Sequence, residues 1–367
     1  MLQGKRALVV GVANARSIAW GIADRWRQEG AEVFVTYQSE RFRKPVEKLL
    51  ADSWGPFDTA GNAIPTAACD VTSEEDMAAL WRTLQERGFC CGSPSSPLEE
   101  GGGCSKATDE ATEPAPRAGP EARGRGGGGV GASAALGAKT GEAEHAPGGS
   151  ATTSNSGSRG AEGEGQGGGL RLQRQGLPVG GGVAAPRKTV DIVLHSVAHA
   201  PTDAMRQGFL MGTTREAFVS AHVVSAYSLV SSVRHALPFL SPGASVVALT
   251  YIGSQRAAAN YNVMGPAKAS LESCARALAA ELGGDANSQG PGGVRVNCLS
   301  PGPVRTMAAR GIAGFDEMRR EAARRAPLGR AAELDEIAAA ATFLASPLSS
   351  AVTGQTLYAD CGFSAVV

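Results

Sequence analysis

Aromatic residues are scarce in this sequence, 5% of 367 positions, and net charge is absent, with 35 Lys and Arg against 35 Asp and Glu. Neutrality removes the electrostatic footprint of a nucleic-acid binder or of a protein held on anionic membranes. One fragment, Arg123-Gly124-Arg125-Gly126, has the form of an RNA-binding Arg/Gly tract, yet it is a single short copy beside many carboxylates. No apolar run reaches the roughly 18 residues that span a bilayer, so no membrane span is expected and the protein reads as soluble. Cysteine is present but unorganised. Cys69, Cys90, Cys91, Cys104, Cys274, Cys298 and Cys361 form no CxxC pair and no zinc spacing, so no metal site is expected. Such an odd, scattered set reads as reduced thiols of an intracellular protein. The chain begins almost directly on a strand pattern, so no targeting peptide is expected in it.

The aromatic shortage is concentrated in one place. No Phe, Trp or Tyr occurs from Cys90 to Lys188, and 26 of the 49 glycines fall between Gly92 and Lys188. Such a stretch cannot bury enough apolar surface to offset its conformational entropy, so 90–188 is expected to be a disordered Gly-rich insertion. Two origins fit it equally: a genuine low-complexity insertion, and intron sequence carried into the reading frame. Residues 1–89 and 189–367 together are the right size for one α/β domain.

Short apolar runs alternate with helical patterns in those two segments. Arg6-Ala-Leu-Val-Val10 reads as a buried parallel strand, followed by a helix from about Ser17 with Ile18, Ile22 and Trp26 at spacing four. Further strands are expected at 32–37, 66–71, 190–194, 244–250 and 294–299. Helices are expected at 73–87, with Ser73 as N-cap, and at 216–237, 260–282 and 333–345. The alternation specifies a doubly wound, Rossmann-type parallel sheet whose ligands bind at the carboxyl ends of its strands.

Candidate chemistry falls at those ends. Gly11-Val-Ala-Asn-Ala-Arg-Ser17-Ile18 joins the first strand to the first helix, where backbone amides and the helix dipole could hold a pyrophosphate. Only Gly11 keeps the usual glycine spacing. Asp70-Val71 ends the third strand, within reach of an adenine ring, and Tyr37-Gln38 ends the second. An uncharged Gln38 favours free ribose hydroxyls, hence NAD over NADP, with Arg41 and Arg43 close enough to weaken that preference. Tyr261 and Lys268, seven apart on an expected helix, would share one face, and a hydroxyl beside an ammonium would be a donor of raised acidity.

Gly11…Ser17-Ile18, Tyr37-Gln38, Asp70-Val71, His195-Ser-Val-Ala-His-Ala-Pro201, Tyr251-Ile-Gly, Tyr261-Asn-Val-Met-Gly-Pro-Ala-Lys268 and Ser300-Pro-Gly-Pro-Val-Arg-Thr306 occur in one order. That order resembles the enoyl-[acyl-carrier-protein] reductases of type II fatty acid synthesis, within the short-chain dehydrogenase/reductase superfamily. Most of that superfamily has Tyr-x3-Lys, whereas Gly265 here leaves only Tyr-x6-Lys. The resemblance implies reduction of a trans-2-enoyl thioester on acyl carrier protein by NADH, in a homotetramer. It implies that Tyr261 bonds the thioester oxygen and Lys268 the nicotinamide ribose. Tyr251, in place of the superfamily serine, would line the acyl pocket with Ala200 and Phe315. Val304, Thr306 and their neighbours Arg305, Met307 and Ala308 would bind the nicotinamide end, and Val197 would touch cofactor at the fourth strand end. The segment 307–325 would be a flap over the acyl chain. Neither His195 nor His199 is given a proton-transfer role, and both are expected in turns. Ala198 and Cys361 stand where the family commonly has glycine. A bacterial-type reductase with a low-complexity insertion points to a photosynthetic eukaryote and the plastid stroma; otherwise the cytoplasm is implied. The alternatives are a 3-oxoacyl or ketone reductase of the same superfamily, which Tyr-x6-Lys and Tyr251 oppose, and a non-catalytic cofactor-binding scaffold.

Overall fold

In the computed structural model the described residues are 1–55, 66–91, 189–284, 291–306, 309 and 314–366. The expected insertion lies outside them. Seven strands make one sheet: β1 Arg6–Val10, β2 Glu32–Tyr37, β3 Thr66–Ala68, β4 Val190–His195, β5 Leu240–Leu249, β6 Arg295–Pro301 and β7 Thr356–Ala359. The order is β3-β2-β1-β4-β5-β6-β7, with every pairing parallel. Strand order reverses between β1 and β4, and there the strand ends open a crevice. Register aligns the rim, because Val10 pairs with His195 and His195 with Ala248.

The helices are α1 Ile18–Gln28, α2 Arg43–Trp54, α3 Glu74–Glu86, α4 Thr202–Arg206, α5 Gly208–Gly212, α6 Arg215–His222, α7 Ser228–Ala236, α8 Met264–Leu282, α9 Phe315–Arg325 and α10 Leu334–Ala345. Alternation along β1 divides the core. Leu8 and Val10 face Leu80, Leu229 and Leu271 of α3, α7 and α8, while Val9 faces Ile22 and Ile337 of α1 and α10. Burying one such side chain contributes on the order of 2 kcal/mol. Among the described residues no helix is long and apolar enough to cross a membrane.

Three local expectations need correction. The third strand ends at Ala68, because Asp70 turns away to accept from Thr72 while its amide donates to Asp76. The 216–237 helix is broken by a π-helical turn, Val223–Tyr227, a feature with no signature in hydrophobic spacing. The helix expected at 260–282 begins at Met264, since Asn260 and Asn262 take left-handed backbone (φ 59° and 43°). Tyr261 therefore sits in a turn before α8, and only Lys268 is on the helix.

Candidate active site

A cleft of about 390 Å³ lies at the carboxyl ends of β1, β2, β4 and β5. Its floor is a close approach of two backbones. Gly11 has φ +104°, and a Cβ there would stand 2.5 Å from the Ser196 carbonyl oxygen, so only glycine lets β1 turn here. Ser17 then caps α1, its hydroxyl donating to the Asn14 carbonyl at 2.7 Å and accepting from the Trp20 amide at 3.3 Å. Amides of that first turn have no carbonyl before them in the helix, which makes the rim suited to a phosphate.

Of the residues singled out for cofactor binding, Gly11, Ser17, Ile18, Gln38, Asp70, Val71, Val197, Lys268 and Thr306 all line this one cleft. Four do not. Val304 packs against the core on the α1 and α10 side. Arg305 is exposed in a neighbouring recess with Arg16 and Phe315, where its guanidinium reaches Asp316 of α9 at 3.1 Å. Met307 and Ala308 lie outside the described residues.

Lys268 reaches the cleft from α8. Its ammonium is buried and donates to the carbonyls of Leu249 (2.8 Å), the last residue of β5, and Val197 (3.3 Å), two residues past the end of β4. Burial pushes it down to about 8, with Cys298 and Glu272 acting upward. Tyr261 points elsewhere. Its ring lies on Gly253, where a Cβ would be 2.4 Å from Tyr261 Cδ1, and meets Tyr251 edge-on at 4.9 Å between centroids. Burial raises the Tyr261 hydroxyl well above the ordinary value of 10 and Tyr251 to about 12. The expected acidified hydroxyl beside an ammonium is thus not found: the turn before α8 aims Tyr261 at Tyr251, while the lysine stem runs to the strand ends. Both phenols stay protonated and can only donate to a developing oxyanion at neutral pH.

The residues assigned to substrate are not gathered in one cavity. Tyr251 lines an apolar recess with Met318, whose sulfur accepts from its hydroxyl at 3.6 Å, and with Phe363. Phe315 lines the Arg305 recess, and Ala200 packs by Ala204, Ala221 and Val263. His195 is no turn residue: it ends β4 fully buried, its Nε2 bonding Ser228 Oγ at 2.7 Å, and burial pushes it down to about 3, so it is neutral. Sequence reading missed Thr250, which lines the cleft, and Glu272, a buried carboxylate one helical turn beyond Lys268. Spacing alone offered the latter, since 268 and 272 share a helix face.

The family model described as enoyl-(acyl carrier protein) reductase matches residues 11–89 and 182–364. The NADH enoyl-[acyl-carrier-protein] reductase FabI of Bacillus cereus is 29% identical over 363 residues, spanning 99% of this chain and 98% of that protein. The NADPH enoyl-[acyl-carrier-protein] reductase FabI of Staphylococcus aureus is 30% identical over 365 residues, spanning 100% of this chain and 98% of its own length. Among solved structures, the Bacillus cereus reductase with NADP+ and indole naphthyridinone aligns with TM-score 0.67 at 28% identity, covering 100% of this chain and 98% of that one. The NADH reductase of Aquifex aeolicus aligns with TM-score 0.65 at 26% identity, covering 99% and 97%.

Proposed function

The chain belongs to the enoyl-(acyl carrier protein) reductase family, and from that premise we propose that it reduces the trans-2 double bond of enoyl thioesters in fatty acid synthesis, with NADH as donor. The observation that carries the reading is the single cleft that collects Gly11, Ser17, Gln38, Val71, Val197, Thr306 and Lys268 beside the Tyr251–Tyr261 pair. The turn at Gly11, where a Cβ would strike the Ser196 carbonyl, leads directly to the first-turn amides of α1 and fits a pyrophosphate, and the buried ammonium fits ribose hydroxyls. A bound nicotinamide would supply hydride to the β-carbon of the thioester, and a proton taken up from solvent at the α-carbon would complete the reduction.

The chain's own residues do the rest. Amides of the first turn of α1 bind phosphate, and Asp70 and Val71 border the adenine. Lys268 keeps one ammonium proton on each strand-end carbonyl and turns the third to the ribose. Tyr261 donates its hydroxyl proton in a hydrogen bond to the thioester oxygen as the enolate forms. Tyr251, held between Tyr261 and Met318, walls the acyl chain. Thr306 spends its oxygen on the Ala309 amide, which fixes the start of the following segment and leaves its hydroxyl proton for the nicotinamide edge. Val304, Arg305, Met307, Ala308, Ala200 and Phe315 belong to this reading through the resemblance alone.

Preference for NADH is supported by the end of β2. Gln38 is exposed there and uncharged, Arg41 stacks over Phe42 at 4.6 Å, and Arg43 is paired with Glu47 at 2.9 Å and Glu40 at 3.5 Å. Arg43 is thus already partnered by carboxylates, while Arg41 keeps its charge and weakens the preference. Assembly as a homotetramer is supported by apolar side chains exposed on α6 and the turn after it, Phe218, Val219 and Tyr227. Turnover of crotonyl-CoA with NADH and with NADPH tests the function. Oxidation of NADH at several times the efficiency of NADPH is expected, and the lack of any crotonyl-dependent oxidation sinks the reading.

A further inference from the structure

Glu272 is 4% exposed and is used by no step above. Thr250 Oγ1 donates to its Oε1 at 2.7 Å and Ser254 Oγ donates to the same oxygen at 2.5 Å, while Gln255 Nε2 approaches Oε2 at 3.5 Å. Thr250 and Ser254 bracket the loop that carries Tyr251 and Gly253, and Gly253 is the surface on which the Tyr261 ring rests. One turn back on the same helix is Lys268. We infer that Glu272 is the positioning residue of the site: a single buried carboxylate ties the loop that sets both tyrosines to the helix that carries the lysine.

The inference rests on the reading of Tyr251, Tyr261 and Lys268 given above. Burial of a carboxylate is costly unless its lone pairs are met, and here two hydroxyls from one loop meet those of Oε1. Pulling either hydroxyl away leaves charge unsatisfied, so the loop is held at one height against α8. Charge is the second part of the role. The titratable groups that face Lys268 are His195 from β4, Cys298 from β6 and Glu272 from its own helix. His195 is held neutral down to about 3 and the Cys298 thiol up to about 12, both by burial, which leaves the Glu272 carboxyl to offset the ammonium.

Glu272→Gln, Glu272→Asp and Ser254→Ala in the full chain separate reach from charge, with Tyr261→Phe as control. Displacing reacting groups by a fraction of an ångström is expected to lower kcat of Glu272→Gln about tenfold with KM for crotonyl-CoA little changed. Its NADH affinity should also begin to fall at lower pH than in the parent. Glu272→Asp keeps the charge but is one methylene short, so it should restore the pH limb and not kcat. Ser254→Ala should lower kcat severalfold and leave the pH limb in place. Parental kcat and parental pH limb in Glu272→Gln overturn the inference, even if its melting temperature drops. If Glu272→Gln does not fold, parental kcat in Ser254→Ala overturns it instead. If Tyr261→Phe also turns over at the parental rate, the assignment of the site fails rather than the role of Glu272.

Discussion

Around Gly11 the site is walled by main chain. The β1 turn, the Ser196 carbonyl and the first turn of α1 meet within a few residues of sequence, and side chains there mostly cap or pack. Around Tyr251 the walls are side chains brought from far apart: Tyr261 before α8, Met318 on α9, Phe363 near the C-terminus and Glu272 on α8. In the proposed reaction the first region would bind through backbone geometry that one glycine protects. The second would act through phenol hydroxyls whose aim depends on several elements at once. Binding and chemistry should therefore respond to different substitutions.

The largest separation is expected for Tyr261→Phe. Loss of one donor to a developing oxyanion costs about 3 kcal/mol, or about a hundredfold in kcat, while the NADH dissociation constant stays within twofold. An enolate spreads its charge and needs less help than an alkoxide, so a smaller loss in kcat still fits. A weakened NADH complex does not, because Tyr261 does not line the cofactor cleft.

Next in size is the pH response of binding. Burial lowers Lys268 from 10.5 to about 8, so the ammonium is present at pH 7, half lost near pH 8 and gone above it. Bonds to ribose hydroxyls need the charged form. NADH affinity is expected to be level below pH 7 and to fall roughly tenfold per unit above pH 8. Lys268→Ala should sit at the weak, high-pH limit at every pH. Titration of NADH fluorescence from pH 6 to 10 checks both, and a flat profile in the parent chain removes Lys268 from the ribose.

The same contrast explains what was legible in the sequence. The strand–helix alternation, the Ser73 cap and Gly11, Gln38, Asp70 and Val71 at the strand ends follow from local patterns, because each is fixed by neighbours a few positions away, whereas Val197 and Thr306 came only through the family resemblance. Tyr261 was placed on a helix because spacing seven fits two turns, yet two left-handed asparagines start the helix later. Nothing in spacing announces left-handed Asn. The ion pair that draws Arg305 to Asp316, and the rings of Tyr251 and Tyr261 meeting edge-on, are tertiary facts with no local signal. Glu272 sat on a readable face but lacked a motif to give it meaning.

A smaller effect sharpens the comparison at β2. Gln38→Arg adds a free cation at an exposed position, and such a surface contact to phosphate is worth on the order of 1 kcal/mol, about fivefold in NADPH affinity. kcat with saturating cofactor should not change. A shift in kcat instead of KM for the cofactor would mean that the two regions are not independent.

The smallest effect is expected outside both regions. Residues 92–188 hold 26 glycines and no Phe, Trp or Tyr.

 The chain leaves the described fold at Cys91, after α3, and rejoins it at Thr189, just before β4. Cys90 and Phe89 are buried in the core, and so is Val190, so the cut has to fall between these anchors. Removing 92–188 and joining the ends with a short Gly/Ser linker should leave kcat, both cofactor affinities and the melting temperature close to those of the parent chain. Loop-closure entropy works in the same direction, because a shorter connection costs less to close, by about 0.6 kcal/mol for each halving of its length. A small rise in melting temperature is therefore the expected sign. Thermal denaturation and crotonyl-CoA turnover, run side by side on the two chains, check it. A deletion variant that folds but binds NADH poorly would tie the insertion to the cofactor cleft. One that binds NADH normally but turns over slowly would tie it to the tyrosines, and either result would end the view that only strand ends, α8 and α9 build this site.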